Sequence, residues 1–163
     1  MTTRHTARLR SLAFAGALAA ASLCSIGTAS AEGNPVGADN AGTLQSMEKC
    51  ADQSEEFRFR FYYNSNNRGA WINIGHDVYD LARISMGGSS NQEYALQFCD
   101  KGNGAYVNVA NNAASVYNWY RGYCATVHYN SGYRGATDRI YPNNSADLGA
   151  TKNNNKSIDF DAC

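Results

Sequence analysis

Tyr63-Asn64-Ser65-Asn66-Asn67-Arg68-Gly69-Ala70 returns later in the chain as Tyr129-Asn130-Ser131-Gly132-Tyr133-Arg134-Gly135-Ala136. A phrase repeated at one offset marks a duplicated supersecondary unit, which buries its apolar face against its own copy. Just upstream, Phe57, Phe59 and Phe61 alternate with Arg58 and Arg60, the period-two pattern of a half-buried strand. Residues 64–69 then read as a turn, and residues 70–74, with Trp71, Ile72 and Ile74, as the return strand. In the second copy, residues 125–129 take the first-strand place, 130–135 the turn and 138–141 the return strand. Two more landmarks recur in the same order: Asp80-Leu81 as Asp147-Leu148, and Asn111-Asn112-Ala113-Ala114-Ser115-Val116 as Asn153-Asn154-Asn155-Lys156-Ser157-Ile158. The first copy carries an extra segment, residues 82–104, which contains Met86-Gly87-Gly88-Ser89-Ser90 and Gly102-Asn103-Gly104, both turn-forming compositions.

Short strands, Gly- and Asn-rich turns, two prolines and almost no helical periodicity make the chain all-β. Each copy should supply four strands in a Greek key. Two copies packed face to face should form a sandwich, since one alone has too little core. The first Greek key is expected over residues 57–120 and the second over residues 121–163.

The N-terminus has the order of a secretory signal. Arg4, Arg8 and Arg10 form a basic region, residues 11–27 an apolar one, and Ala29-Ser30-Ala31 a small-residue cleavage site. Residues 1–31 are therefore expected to be removed, Cys24 with them, and the product to be secreted and extracellular. Leu23 is too large for the small residue that lipidation at Cys24 would want, and the apolar run is shorter than the roughly 20 residues of a membrane span. The signal removes three of 14 basic side chains and none of the 14 acidic ones, leaving 11 against 14 and a net charge of −3. So sparse a basic complement excludes a nucleic-acid binder, which needs a clustered cationic face. Residues 32–56, rich in Gly, Asn, Asp and Glu, read as an exposed, flexible leader.

Cys50, Cys99, Cys124 and Cys163 remain, an even number in an exported chain, which reads as two disulfides. No Cys-x-x-Cys or close Cys/His pairing exists to build a zinc site. Three connectivities are possible. If the first and last strands of the second copy are antiparallel neighbours, their opposite ends meet; this places Cys124 beside Cys163 and leaves Cys50 for Cys99.

The repeat resembles the βγ-crystallin fold. In that family each Greek key opens on an aromatic residue, passes through a tight hairpin to an obligatory glycine and places an aliphatic residue five positions later. Residues 62–69 with Ile74 look like the first instance, and residues 128–135 with Ile140 like the second, although Asn67 and His128 stand where aromatics are usual. Within the fold, Tyr62-Tyr63-Asn64-Ser65, the Arg-Gly-Ala phrases and Asn111 to Val116 resemble the small exported proteins grouped with the Streptomyces metalloproteinase inhibitor. That resemblance implies a monomeric inhibitor of extracellular peptidases, with metalloproteases as the expected targets and a substrate-like loop on a rigid β scaffold as the means.

The Asn-Asn-x-x-Ser phrases also resemble the calcium motif of microbial βγ-crystallins. The resemblance would make Asn112 and Ser115, with Asn154 and Ser157, side-chain ligands, and Tyr63 and Tyr129 donors of hairpin carbonyls. Calcium takes six to eight hard oxygens and is held more tightly as ligand charge rises, yet both phrases are neutral and Lys156 adds a cation. The same residues equally well cap turns by bonding their own backbone, with Val116 and Ile158 in the core. The expectation is thus a domain that requires no cofactor, with calcium as an option, and the runner-up function is a calcium-binding structural module.

The inhibitory loop itself is not legible. The asymmetric residues 85–104 are the first candidate, because function concentrates in irregular loops on rigid scaffolds, while an ordinary variable insertion explains them as well. No enzyme is expected: His76 with Asp77, and His128 near Ser131, have no nucleophile-base-orienter spacing around them. Tyr117-Asn118-Trp119-Tyr120 reads either as a carbohydrate-stacking platform or, more commonly for alternating aromatics, as core and cross-strand pairs. Asn143-Asn144-Ser145 and Asn155-Lys156-Ser157 match glycosylation sequons that arise easily in an Asn-rich chain.

Overall fold

A computed structural model describes residues 47–54, 57–85 and 93–163. The expected signal, most of the expected leader and the Met86-Gly87-Gly88-Ser89-Ser90 turn lie outside these residues. Among the described residues the strands are β1 (Phe59–Asn64), β2 (Arg68–Ile74), β3 (Ile84–Ser85), β4 (Glu93–Tyr94), β5 (Ser115–Asn118), β6 (Tyr123–Asn130), β7 (Arg134–Ile140), β8 (Asn144–Asp147) and β9 (Ser157–Ala162).

The repeated phrases form the two hairpins β1-β2 and β6-β7. Phe59 pairs with Ile74 and Phe61 with Ile72 in the first, and the register shifts between Tyr62 and Asn64. Ala125 pairs with Ile140 in the second, with the same shift between His128 and Asn130. Both return strands start earlier than expected because the turns are tighter. Asn66, Asn67 and Gly69 adopt φ of 58°, 54° and 81°, and Gly132, Tyr133 and Gly135 adopt 72°, 58° and 89°. A Cβ on Gly69 would lie 2.7 Å from Asn64 Nδ2, and one on Gly135 would lie 2.8 Å from Asn130 Nδ2. Glycine is required at both for conformation and for space.

The architecture is all-β, a sandwich of two Greek keys, and its topology corrects one expectation. The copies do not each keep their own four strands. One sheet runs β2-β1-β5-β8 and the other β7-β6-β9, with Val78 bridging Ile158 at the open side of β9. The third strand of each copy therefore crosses to the sheet built by the other. The exchange is symmetric to the atom: Leu148 N donates to Ala114 O at 3.0 Å, and Leu81 N donates to the matching Lys156 O at 2.8 Å. Neither copy can complete a sheet alone, which ties the two halves into one cooperative unit.

Between the sheets, Phe59, Phe61, Ile72 and Ile74 from the first copy meet Val127, Ile140, Ile158 and Phe160 from the second in one buried cluster. Phe59 and Phe160 contact edge to face across the interface, with centroids 5.7 Å apart. Val116 and Ile158 are fully buried.

Disulfides join Cys50 to Cys99 and Cys124 to Cys163, with Cα atoms 5.8 Å and 5.7 Å apart. The second bridge follows from sheet pairing, since β6 and β9 are antiparallel neighbours with Cys124 opposite Asp161. Residues 47–54 depart from the flexible leader expected there. A 3-10 turn, Met47–Cys50, leads into a strap laid on the first sheet's outer face: Arg60 Nη2 donates to Ala51 O at 3.0 Å, and Trp119 Nε1 donates to Ser54 O at 3.0 Å.

Candidate functional site

The two Asn phrases and the two hairpins meet as paired constructions. Ser115 Oγ donates to Asn64 O at 2.6 Å and accepts from Asn67 N at 2.9 Å. Ser157 Oγ donates to Asn130 O at 2.7 Å and accepts from Tyr133 N at 3.0 Å. Both serines are wholly buried, so each hydroxyl is committed to stapling its hairpin. Asn112 Nδ2 donates to Ala110 O at 3.1 Å, and Asn154 Nδ2 to Lys152 O at 3.2 Å, the local side-chain-to-backbone bond of a capped turn. Asn155, which the sequence offered as the first residue of a glycosylation sequon, is fully buried: its Oδ1 accepts from Ala113 N and its Nδ2 donates to Val109 O across the copies.

A cleft of about 380 Å³ is lined by Tyr63, Ser65, Asn112, Ala114 and Lys152 among others, where the resemblance puts the first calcium ion. Tertiary structure brings in a residue the sequence did not point to. Lys152, from the loop before the second Asn phrase, sends its Nζ to Ser65 Oγ at 2.8 Å. An ammonium thus already occupies part of the space a cation would enter, and repels another cation. At the second place, Lys156 stands where the repeat has Ala114 at the first. Tyr63 packs against Phe98 at 5.8 Å, whereas its counterpart Tyr129 is exposed, so the two places have unlike walls. Among the described residues no group of three or more His, Cys, Asp or Glu side chains converges as a metal set.

One carboxylate orders the loop that carries Lys152. Asp138 Oδ2 accepts from Gly149 N at 3.1 Å, Thr151 N at 2.8 Å and Thr151 Oγ1 at 2.6 Å, and Oδ1 accepts from Ala150 N at 3.3 Å. Burial pushes this carboxyl up, but the bonds from Thr151, Gly149 and Ala150 outweigh it and hold it below the usual carboxylate range. A folded value below the unfolded one contributes stability above the unfolded value near 3.9 and loses it as pH falls through the folded value. Asp138→Asn should therefore melt below wild type at neutral pH, and the gap should narrow as pH falls below the ordinary carboxylate value near 3.9. Parallel thermal melts of the two proteins across pH check this.

The candidate inhibitory segment, residues 85–104, is described at Ser85 and from Glu93 onward. After β4 the chain runs along β2, with Cys99 N donating to Trp71 O at 3.0 Å and Ala70 N to Asn103 O at 2.8 Å. It then turns back on itself: Tyr106 N donates to Phe98 O at 3.1 Å, and Phe98 N to Val107 O at 2.9 Å. Gly102, Gly104 and Tyr106 are left-handed, with φ of 95°, 90° and 63°. A left-handed bulky residue is unusual and is held only by its surroundings. Tyr106 is 66% exposed, the most exposed large hydrophobic side chain of the described residues.

His76 Nδ1 lies 2.9 Å from Asp77 O and its ring packs against Phe57. His128 is buried in β6 with Nε2 2.9 Å from Asp159 Oδ1, and Ser131 sits in the turn beyond. The aromatic quartet splits by strand alternation: Asn118 and Tyr120 are buried, and Tyr117 and Trp119 are half-exposed.

No family model and no curated protein matches the sequence. Solved structures similar to it include the following three. A chain from work on the evolution of the eye-lens βγ-crystallin domain fold shows 13% identity and a TM-score of 0.45, over 66% of this chain and 88% of that one. The N-terminal domain of Protein S shows 20% identity and a TM-score of 0.44, over 64% and 96%. A βγ-crystallin domain from Flavobacterium johnsoniae shows 20% identity and a TM-score of 0.43, over 64% and 93%.

Proposed function

We propose that this chain is an exported protein inhibitor of extracellular peptidases, and that it presents residues 100–106 to its target. The observation that carries the reading is the clamped loop. It is fastened at Cys99 by a disulfide, at Asn103 by β2 and at Phe98 by two backbone bonds, and it ends on the exposed ring of Tyr106. A loop ordered before encounter gives up little entropy on binding, and a rigid aromatic is a favoured interface anchor. Three left-handed residues keep the tip from lying as an extended substrate strand. The fitting mode is therefore obstruction, with Tyr106 anchored in an apolar specificity pocket, rather than a substrate-like bond offered for cleavage. Two disulfides are compatible with an oxidising extracellular setting.

The test is titration against thermolysin and against serine, cysteine and aspartic peptidases. At least one should lose activity at excess domain, and Tyr106→Ala should weaken that inhibition about tenfold or more with an unchanged melting temperature. Full activity of every peptidase at large excess would defeat the reading.

The calcium-binding structural module has less support, because the serine hydroxyls are spent on the hairpins and Lys152 reaches into the first cleft. Millimolar calcium is expected to leave the melting temperature unchanged. A ligand at 100 times its dissociation constant would stabilise by about 2.7 kcal/mol, so a clear upward shift would reinstate the module.

A further inference from the structure

We propose that the outer face of the β2-β1-β5-β8 sheet carries a saccharide-binding cleft that accepts one pyranose ring of a glycan. Asp52, Gln53, Arg60, Tyr62, Tyr117 and Trp119 line a cleft of about 220 Å³ there. Sheet register assembles it from distant sequence: Arg60 stands opposite Tyr117 on β5 and Asn73 on β2, and Tyr62 stands opposite Trp71. The Arg60 guanidinium lies 3.9 Å from the centre of the Trp71 ring, 5.4 Å from Trp119 and 5.8 Å from Tyr62. Its Nε donates to Asn73 Oδ1 at 2.7 Å, and Nη2 donates to the Ala51 and Asp52 carbonyls. The group is thereby fixed, and among the described residues Nη1 has no hydrogen-bond partner.

The chemistry selects the ligand. Electron-rich ring faces complement the weakly positive C–H face of a pyranose. The Asp52 carboxylate, the Gln53 amide and Arg60 Nη1 supply acceptors and donors on planar groups, suited to adjacent hydroxyls. A cationic ligand is disfavoured because Arg60 already takes the place over the rings, and an anion would meet Asp52. The volume falls below the roughly 300 Å³ at the lower end of drug-sized ligand sites, which fits a single ring whose neighbours along the glycan stay in solvent. Tyr117 and Trp119, 5.3 Å apart and inclined by 31°, leave ring surface half-exposed on the face turned away from the core.

Tryptophan fluorescence would be followed while the purified protein is titrated with chitohexaose, cellohexaose, xylohexaose and laminarihexaose, and depletion on insoluble chitin and cellulose would be measured alongside. At least one probe should bind in the millimolar range or tighter. Tyr117→Ala should weaken it about tenfold, equivalent to 1.4 kcal/mol, and Tyr141→Ala, exposed at the end of β7, should not. Trp119→Ala should act in the same direction, and if loss of its bond to Ser54 impairs folding, Tyr117→Ala decides alone. The proposal is overturned if no probe binds at tens of millimolar, or if binding persists undiminished in Tyr117→Ala. Neither result bears on peptidase inhibition, which is assigned to Tyr106.

Discussion

Replacing Cys124 and Cys163 together by serine should lower the unfolding free energy by about 4 kcal/mol, the chain-entropy value for a loop of this length. The bridge closes a sequence separation of 39 and ties the start of β6 to the residue after β9. It therefore restrains the two strands that, with β7, make up the second sheet. Small domains have only about 5–15 kcal/mol in hand, so this variant should be marginal. The Cys50–Cys99 bridge spans a similar separation of 49 and should count about as much in entropy, but it anchors the insertion and the leader strap rather than a sheet. Its loss should release residues 99–106 and weaken peptidase inhibition as well as stability. Denaturant melts of both double variants, with and without reductant, measure the effect. A melt insensitive to reductant would mean that sheet exchange alone supplies the stability.

Gly104→Ala is the single substitution expected to cost most, about 3 kcal/mol or more. A Cβ there would stand 2.2 Å from Tyr63 Cγ and 2.5 Å from both Cδ atoms, and the ring cannot retreat because Phe98 packs on it. Overpacking of this kind costs about 1–3 kcal/mol, and an alanine held at φ 90° adds conformational strain of comparable size. Gly122→Ala separates the two terms, since φ there is 76° and nothing lies within 4 Å of the added carbon. It should show the strain alone. For a domain of this size the Gly104 change corresponds to roughly 10 °C in melting temperature, read by calorimetry. A shift no larger than that of Gly122→Ala would mean that the Tyr63 ring yields.

The reading of the sites follows the same division between local and distant. The turn-capping asparagines were legible as phrases, because each bonds a carbonyl two residues away, whereas the serines recurred visibly but their stapling of hairpins 51 and 27 residues away did not show. Lys152 was not, although it directly precedes Asn153. Its role depends on Ser65, which lies 87 residues away, and the repeat offers only Ala110 at the matching place. The aromatic quartet was open to two readings, a stacking platform or core and cross-strand pairs; alternation turned Asn118 and Tyr120 inward and left Tyr117 and Trp119 outward, beside rings from β1 and β2.

By itself the chain's order of residues determined the duplication, both hairpins and the all-β character. These rest on local rules: period-two burial, left-handed glycines and side chains that bond nearby backbone. Only the tertiary structure decided that the third strands change sheets, that a lysine enters the first Asn cleft and that Arg60 gathers three rings around it. Such partners are chosen by which edges and surfaces remain open once the hairpins have formed, and no short-range pattern encodes that competition.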